Sequence, residues 1–242
     1  HDLKIACPAY KMLNAGGICE RCNHGSLMNV IKHRCVQSSL AASVVVGAET
    51  WLHRRLQTYR RCVNKVVCPS RFFVAKLVEW GIPAEQLVYI PNFPQVDGLD
   101  PDYRKGEFAL YFGRLVAEKG VATLIRAAAV SRVPLKIAGT GPAAQDMRRL
   151  AGELGADVEF VGYRAGRDLH DLIRASSVVV QPSECYENAP MSVLESFAAG
   201  KPVIGARIGG IPELILEGQN GWIYESGNVE QLAAALASAL AC

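Results

Sequence analysis

From residue 107 onward, the chain alternates between two kinds of hydrophobic pattern. Short runs of consecutive apolar residues are typical of strands buried on both faces, and the stretches between them repeat apolar residues with helical spacing. The predicted strands are residues 108–112, 135–138, 158–161, 178–181, 202–205 and 221–224. The predicted helices are residues 121–129, 143–154, 168–175, 190–199, 212–216 and 229–240. This alternation predicts an α/β fold, a doubly wound parallel sheet of six strands with helices on both faces.

The preceding part of the chain, residues 1–95, follows a different pattern. A cysteine-rich stretch comes first, and the elements predicted after it are a helix at 38–61, a strand at 65–69, a helix at 71–80 and a strand at 88–90. Ser70 directly precedes the second helix and is a residue type that caps helix N-termini. We interpret residues 1–95 as a partial N-terminal Rossmann-like domain. Residues 96–106, rich in Pro, Gly and Asp, are predicted to be a linker, and residues 107–242 the C-terminal domain.

The composition narrows the class of protein. With 242 residues, 50% of them hydrophobic and 20% charged, the chain can bury a sizeable core. A net charge of +3 without a long basic run argues against a nucleic-acid partner, and no apolar run is long enough to cross a membrane. Because the sequence opens on His1, with neither an initiator Met nor a signal-peptide pattern, we interpret it as a fragment or trimmed product of a cytoplasmic protein.

The predicted helix at residues 38–61 carries several arginines near its end, around Trp51, Leu52 and Leu56. A basic amphipathic surface of this kind can rest on anionic lipids. A solvated basic face is the commoner explanation of the same pattern. Peripheral contact with the inner face of the membrane is therefore one of two interpretations that the sequence leaves open.

Glu187 and Glu195 flank the start of the predicted helix at 190–199. Backbone N–H groups at a helix start attract anions, whereas carboxylates accept hydrogen bonds from hydroxyls. This combination suits a ligand with a phosphate between two hydroxyl-rich groups, which is the layout of a sugar nucleotide. Acidic residues near a helix start are also ordinary partners of the helix dipole, so the interpretation depends on the neighbouring motifs.

Those motifs occur in a fixed order. They are Phe-Gly-Arg-Leu-Val-Ala-Glu-Lys-Gly at 112–120, Ala-Gly-Thr-Gly-Pro at 138–142, Phe-Val-Gly at 160–162, Gln-Pro-Ser at 181–183, the Glu187/Glu195 pair, and Gly-Gly-Ile-Pro-Glu at 209–213. Together they resemble the donor-binding domain of the retaining GT-B glycosyltransferases of sequence family four. Residues 68–70 and 90–92 resemble the end of that family's N-terminal domain, and His1 with Asp2 resembles a His-Asp pair midway through it.

The resemblance implies a set of donor-binding residues. They are Gly113, Arg114, Lys119, Tyr163, Arg164, Asn188, Met191, Ser192 and Glu195. Arg114 and Lys119 would hold the diphosphate in place of a divalent metal. Backbone groups at Met191 and Ser192 would complete the phosphate site.

The resemblance also implies how the rest of the donor is held. Glu195 would bind the ribose hydroxyls, and Tyr163 and Arg164 would frame the base. The implied catalytic residues are Glu187, which would hold hydroxyls of the transferred sugar, and His1, which would approach that sugar from the other domain.

The implied activity is transfer of a hexose from a UDP- or GDP-sugar to a glycan or lipid-linked acceptor, with retention and without a catalytic cofactor. Asn188-Ala189 stands where the family has an aromatic residue and glycine, and the small residue preserves close backbone approach. The first strands of the family's N-terminal domain and its terminal helix are not matched, which leaves open whether the fragment is active by itself. The alternative is a non-catalytic nucleotide-binding module with a zinc knuckle for partner contact.

Four cysteines, Cys7, Cys19, Cys22 and Cys35, fall within the first part of the chain. A Cys-x2-Cys pair with two flanking cysteines can present thiolates tetrahedrally to zinc. The outer spacings differ from those of a standard zinc ribbon. The sequence therefore leaves two interpretations open, a structural zinc site and a set of free or partly buried thiols.

Overall fold

The computed structural model describes residues 3–14, 17–23, 25–94 and 100–241 of the 242-residue chain. His1, one of the two predicted catalytic residues, lies outside the described residues. The chain divides into two compact units, residues 1–91 and residues 92–242.

The first unit opens with two short antiparallel strands, β1 (Leu13–Asn14) and β2 (Gly17–Ile18). Its helices are α1 (Met28–Lys32), α2 (Leu40–Leu56) and α3 (Thr58–Cys62). It closes with β3 (Val66–Cys68), α4 (Arg71–Glu79), a 3-10 turn (Ala84–Gln86) and β4 (Leu87–Tyr89). Because β3 and β4 pair in parallel and α4 connects them, they form a βαβ unit, the building block of Rossmann-like domains.

Side-chain caps begin two of these helices. Ser39 Oγ accepts a hydrogen bond from the Ala42 N–H at the start of α2, at 3.3 Å. Ser70 Oγ accepts from the Phe73 N–H at the start of α4, at 3.1 Å, which confirms the predicted cap.

The long helix predicted at residues 38–61 is in fact two helices, α2 and α3. The first ends because Gln57 adopts the left-handed conformation, with φ 53°, and α3 begins at the next residue. Hydrophobic periodicity predicts which residues are helical, but it carries no signal for a single left-handed residue. The prediction of one continuous helix was therefore wrong.

The exposed surface of α2 includes Trp51, Leu52 and Leu56. None of the helices within the described ranges is long and apolar enough to cross a bilayer. Contact of this surface with a membrane stays a prediction.

The second unit is built on six parallel strands. They are β5 (Ala109–Phe112), β6 (Leu135–Ala138), β7 (Val158–Gly162), β8 (Val178–Gln181), β9 (Val203–Ala206) and β10 (Gly221–Tyr224). The helices are α5 (Val121–Ser131), α6 (Ala144–Leu154), α7 (Gly166–Ala175), α8 (Met191–Ala198) and α9 (Val229–Ala241), with 3-10 turns at Ala117–Lys119 and Ile211–Glu213. Every residue of β5, β8 and β9 is buried, as strands covered by helices on both faces require. The predicted six-stranded parallel sheet is confirmed.

The strand order across the sheet is β10-β9-β8-β5-β6-β7. The strands that follow β5 in sequence, β6 and β7, lie on one side of it. The next strand, β8, pairs with the other side of β5. Ligands of doubly wound sheets bind beyond the carboxyl ends of the strands where the direction reverses. In this unit that position lies between β5 and β8.

The helix predicted at residues 212–216 is a 3-10 turn, Ile211–Glu213. Asn220 explains the early end, because its side chain accepts a hydrogen bond from the Leu216 N–H and donates one to the Leu214 carbonyl. These bonds replace those of a continuing helix. The apolar spacing alone could not distinguish the two outcomes.

The described part of the predicted linker, residues 100–106, packs on the second unit. The Asp102 N–H donates to the Ala199 carbonyl, and Lys201 Nζ donates to the Arg104 carbonyl at 2.6 Å. A Cβ atom at Gly106 would lie 2.1 Å from the Ala175 carbonyl oxygen. No local sequence pattern predicts these contacts, which tie residues 102–106 to the second unit. The linker at residues 96–106 stays a prediction.

Candidate functional site

A cavity of about 400 Å³ opens at the carboxyl ends of β5, β6 and β7. It is lined by Phe112, Gly113, Arg114, Ala138, Gly139, Thr140, Tyr163, Arg164, Ala165, Gly166, Leu169, His170 and Glu195. Residues from the loops after three neighbouring strands thus meet side chains of α7 and α8. Five residues predicted from the sequence to bind a donor are in this lining: Gly113, Arg114, Tyr163, Arg164 and Glu195.

The backbone at Arg114 is held from two sides. Tyr111 is buried at the end of β5, and its hydroxyl donates to the Arg114 carbonyl at 2.9 Å. Burial raises the pKa of Tyr111, so the phenol stays a neutral hydrogen-bond donor. A Cβ at Gly139 would lie 1.9 Å from the Gly113 carbonyl oxygen, so only glycine lets the loops after β5 and β6 approach this closely.

Glu195 and His170 face the cavity from α8 and α7. Burial raises the pKa of the Glu195 carboxyl above its ordinary value, and the nearby His170 acts in the opposite direction. A ligand that donates hydroxyl hydrogen bonds would favour the charged form of this carboxylate.

A second cluster surrounds Glu187, in the loop between β8 and α8. Its Oε1 atom accepts from Lys119 Nζ at 2.5 Å, from Ser183 Oγ at 2.6 Å and from Gln181 Nε2 at 3.2 Å. The side chains of Lys119 and Glu187 are mostly buried. Because all three donors converge on Oε1, they fix the carboxylate while the described residues form no hydrogen bond to Oε2.

Gln181 links this cluster to the first turn of α8. Its Nε2 also donates to Ser183 Oγ at 3.0 Å, and its Oε1 accepts from Ser192 Oγ at 2.7 Å. Gln181 and Ser183 are both buried. One side chain thus connects the end of β8, the Glu187 loop and the helix that carries Ser192.

The loop after β9 holds the backbone of Glu187. The Gly210 N–H donates to the Glu187 carbonyl at 2.7 Å. Gly209 has φ 58°, and a Cβ there would lie 2.3 Å from the Glu187 carbonyl oxygen. Asn92 Nδ2 donates to the carbonyl of Ala189 at 3.0 Å in the same loop. A residue other than glycine at position 209 would displace Glu187.

Most of the predicted donor-binding residues and the predicted catalytic residue Glu187 therefore fall into two groups. One lines the cavity, and the other is the network of Lys119, Glu187 and Ser192. Met191 lies at the N-terminal end of α8, and Asn188 lies in the loop before it. Their roles stay predictions.

No role was predicted from the sequence for four residues of this site: Gln181, Ser183, Thr140 and His170. The first three lie within the motifs that carried the resemblance, and a polar side chain at the end of a fully apolar strand is itself a signal at Gln181. His170 had no sequence signal beyond its place in a helix.

The cysteines Cys7, Cys19, Cys22 and Cys35 belong to the first unit and line a separate small cavity there. Across the described ranges, no group of three or more candidate ligands stands in the arrangement of an ion-binding site. The zinc site at these four cysteines therefore stays a prediction.

Comparison with known families gives one match over most of the second unit. Residues 101–242 match the family described as glycosyl transferases group 1. The amylovoran biosynthesis glycosyltransferase AmsK of Erwinia amylovora is 25% identical over 240 residues, which cover 88% of this chain and 58% of that protein. The lipopolysaccharide 1,2-N-acetylglucosaminetransferase of Salmonella typhimurium is 29% identical, with 65% of this chain and 48% of that protein covered.

Solved structures share the fold. The structure of HepE from Anabaena in complex with UDP-glucose superposes with a TM-score of 0.65 at 23% identity, covering 85% of this chain and 63% of that one. At this identity the likeness concerns the fold. The alignments with AmsK and the Salmonella enzyme span about half of those proteins, 58% and 48% of their lengths.

The Gln181 network leads to a prediction about stability. Replacing Gln181 with leucine keeps the volume but removes one hydrogen-bond partner from the buried Ser183 hydroxyl and one from the partly buried Ser192 hydroxyl. We expect Gln181→Leu to lower the free energy of unfolding by about 1–3 kcal/mol. The matched control is Gln145→Leu, an exposed position on α6, where we expect a change within about 0.5 kcal/mol.

Urea denaturation in a background where Trp51 and Trp80 are replaced by phenylalanine, followed by the fluorescence of Trp222 in β10, would measure the effect on the second unit. Equal stability of the two variants would contradict the structural role assigned to Gln181.

Proposed function

Because the chain belongs to the glycosyl transferases group 1 family, we propose that it carries the donor site of a retaining glycosyltransferase. The enzyme moves a hexose from a UDP- or GDP-sugar to a glycan or lipid-linked acceptor. One observation carries the proposal. Near the point where the strand order reverses, the basic side chains of Arg114 and Lys119 lie close to the N-terminus of α8 and to the carboxylates of Glu187 and Glu195. The names of the relatives, which include a lipopolysaccharide and an amylovoran enzyme, support a glycan acceptor.

The nucleoside occupies the cavity beyond β5, β6 and β7. Glu195 accepts from the ribose hydroxyls, and its half-buried position makes these bonds stronger than they would be in water. The loop at Tyr163 and Arg164 frames the base. The UDP-glucose complex of HepE, a protein of the same fold, supports a nucleotide sugar as the ligand.

The diphosphate lies between the loop after β5 and the start of α8. Arg114 makes no ion pair with another side chain in the described residues, so its guanidinium is available to a phosphate. The N–H groups of the first α8 turn and the helix dipole also favour an anion. Together with Lys119 these groups neutralise the leaving phosphate, a role that other enzymes give to a divalent metal.

The transferred sugar lies against Glu187. Its Oε2 accepts from sugar hydroxyls while the network around Oε1 keeps the carboxylate oriented. Transfer then follows a front-face route. The bond between the anomeric carbon and the phosphate oxygen breaks on the face where the bond to the acceptor oxygen forms, and the acceptor's proton passes to the departing phosphate. No catalytic cofactor takes part in this route.

The first prediction concerns the diphosphate. We expect UDP or GDP to bind in the presence of EDTA, and Arg114→Ala to weaken binding about ten- to a hundred-fold, since a charge-assisted hydrogen bond contributes about 1.5–3 kcal/mol. Isothermal titration would measure both. Arg126→Ala, at an exposed position of α5, is the matched control and should bind like wild type. A requirement for a divalent ion, or equal affinities in the two variants, would sink the phosphate assignment.

The second prediction separates Glu187 from the nucleotide. We expect Glu187→Gln to lower turnover by far more than it changes UDP or GDP affinity, because the free nucleotide lacks the sugar that Glu187 contacts. The substitution also releases Lys119 from its carboxylate partner, so nucleotide affinity should hold or rise. Steady-state kinetics of the full-length enzyme and titration of the same variant would test this. A parallel loss of affinity and turnover would mean that Glu187 acts through the position of Lys119 rather than on the sugar.

The third prediction is stereochemical. Glu187 orients the sugar and does not attack it, so the first-formed product should keep the anomeric configuration of the donor. Proton NMR of the full-length enzyme's glycoside product, through the coupling constant of its new anomeric proton, decides. An inverted anomeric centre would contradict the front-face route.

A further inference from the structure

Four thiols from separate turns meet in the first unit. Cys7, Cys19, Cys22 and Cys35 all line one cavity of about 20 Å³, together with apolar side chains that include Val30 and Trp80. Residues from different parts of the segment thus line a cavity that is large enough for one water molecule or one ion.

Backbone hydrogen bonds fix the turns that carry these cysteines. The Cys7 N–H donates to the Leu3 carbonyl at 2.7 Å, and the Cys19 N–H donates to the Met12 carbonyl at 2.8 Å. The Cys35 N–H donates to the Val30 carbonyl at 3.1 Å, just after α1. The main chain therefore sets the positions of the thiols.

The thiols are free and lie close to one another. All four are unpaired cysteines. Cys22 is buried, and Cys7, Cys19 and Cys35 are partly buried around the same cavity. If the four thiols ionise, a cation in this cavity would offset the repulsion between the thiolates.

The segment that carries the four cysteines, with β1, β2 and α1, contains little regular secondary structure to stabilise it. β1 and β2 have two residues each, and α1 has five. Of the seven non-glycine residues with positive φ in the described chain, five lie here: Tyr10, Met12, Arg34, Gln37 and Ser38. Left-handed backbone is unfavourable for such residues and persists only where other interactions impose it. The segment therefore needs a stabilising interaction beyond its small core.

Arg54 ties the cysteine turns to the helices. Its guanidinium, on α2, donates to the Cys22 carbonyl at 3.1 Å and to the Ala6 carbonyl at 3.3 Å. It also lies 5.8 Å from the centre of the Trp80 ring at the end of α4. An interaction that joined the four sulfurs would thus act on the helical framework of the whole unit.

We propose that Cys7, Cys19, Cys22 and Cys35 bind one structural Zn²⁺ as thiolates. Among the described residues, no group of three or more potential ligands is arranged as around an ion, so binding requires the sulfurs to move. Binding draws the sulfurs inward to about 2.3 Å from the metal, and the four thiol protons pass to solvent. Four thiolates close the coordination shell, so no position is left for a reactive water and the metal is structural.

Other ligands fit less well. This holds for His33, whose Nε2 lies 3.0 Å from Arg21 Nη1 at an exposed position. His24 lies outside the described residues and is not compared. Paired disulfides are the chemical alternative to a metal, and the experiment separates the two.

The test begins with wild-type protein purified under reducing conditions without added metal. Elemental analysis should find about one zinc per chain, and a mercurial that titrates the thiols should release it to a colorimetric chelator. Replacement by Co²⁺ should give the sulfur-to-cobalt charge-transfer and visible bands of a tetrahedral thiolate site. These measurements do not depend on any variant folding.

Variants then locate the ligands. Cys19→Ser and Cys22→Ser should lose the zinc and lower the melting temperature, whereas the control Cys62→Ser, at an exposed cysteine of α3, should retain both. Zinc well below stoichiometry in reduced wild type, iron in its place, or disulfides among the four cysteines by mass spectrometry would overturn the proposal.

Discussion

The convergence of three donors on Glu187 Oε1 is the constraint on which the candidate site depends. Lys119 comes from the loop after β5, whereas Gln181 and Ser183 come from the end of β8. These two strands are neighbours at the point where the strand order reverses. A mostly buried carboxylate needs a cation and hydrogen bonds to remain charged, so the loops after both strands must hold one geometry. The glycines that contact Glu187 follow from the same requirement.

The sheet could be predicted from sequence because helices cover both its faces, so each strand is a plain apolar run such as Val178–Gln181. The same method failed where a single backbone conformation or side-chain bond decides the outcome. Gln57 ends α2 through a left-handed φ, and Asn220 ends the 3-10 turn by bonding the backbone around residue 215. Neither feature alters the apolar spacing. Local pattern therefore fixes the layers of this fold but not the ends of its elements.

The candidate site divides in the same way. Motifs in sequence order led to Arg114, Glu187 and Glu195, since each follows a predicted strand or lies in a predicted helix. The bond from Ser192 to Gln181 could not be predicted, because it joins a strand end to a helix start across an intervening loop. Ser183 was within a quoted motif, yet its role depends on the direction of its hydroxyl toward Glu187. Hydrogen bonds of this kind depend on the three-dimensional fold, so the local sequence does not reveal them.

The ion pair between Lys119 and Glu187 lets two mostly buried charges neutralise each other. Separating the two without replacement would leave both partly desolvated, which is costly. A nucleotide sugar would supply substitutes together, since its phosphate can take Lys119 while its sugar hydroxyls donate to Glu187. A nucleotide without the sugar offers only the first exchange, and Ser183 and Gln181 would then have to satisfy the carboxylate alone. The network around Oε1 would therefore let the site favour the intact donor over the product nucleotide.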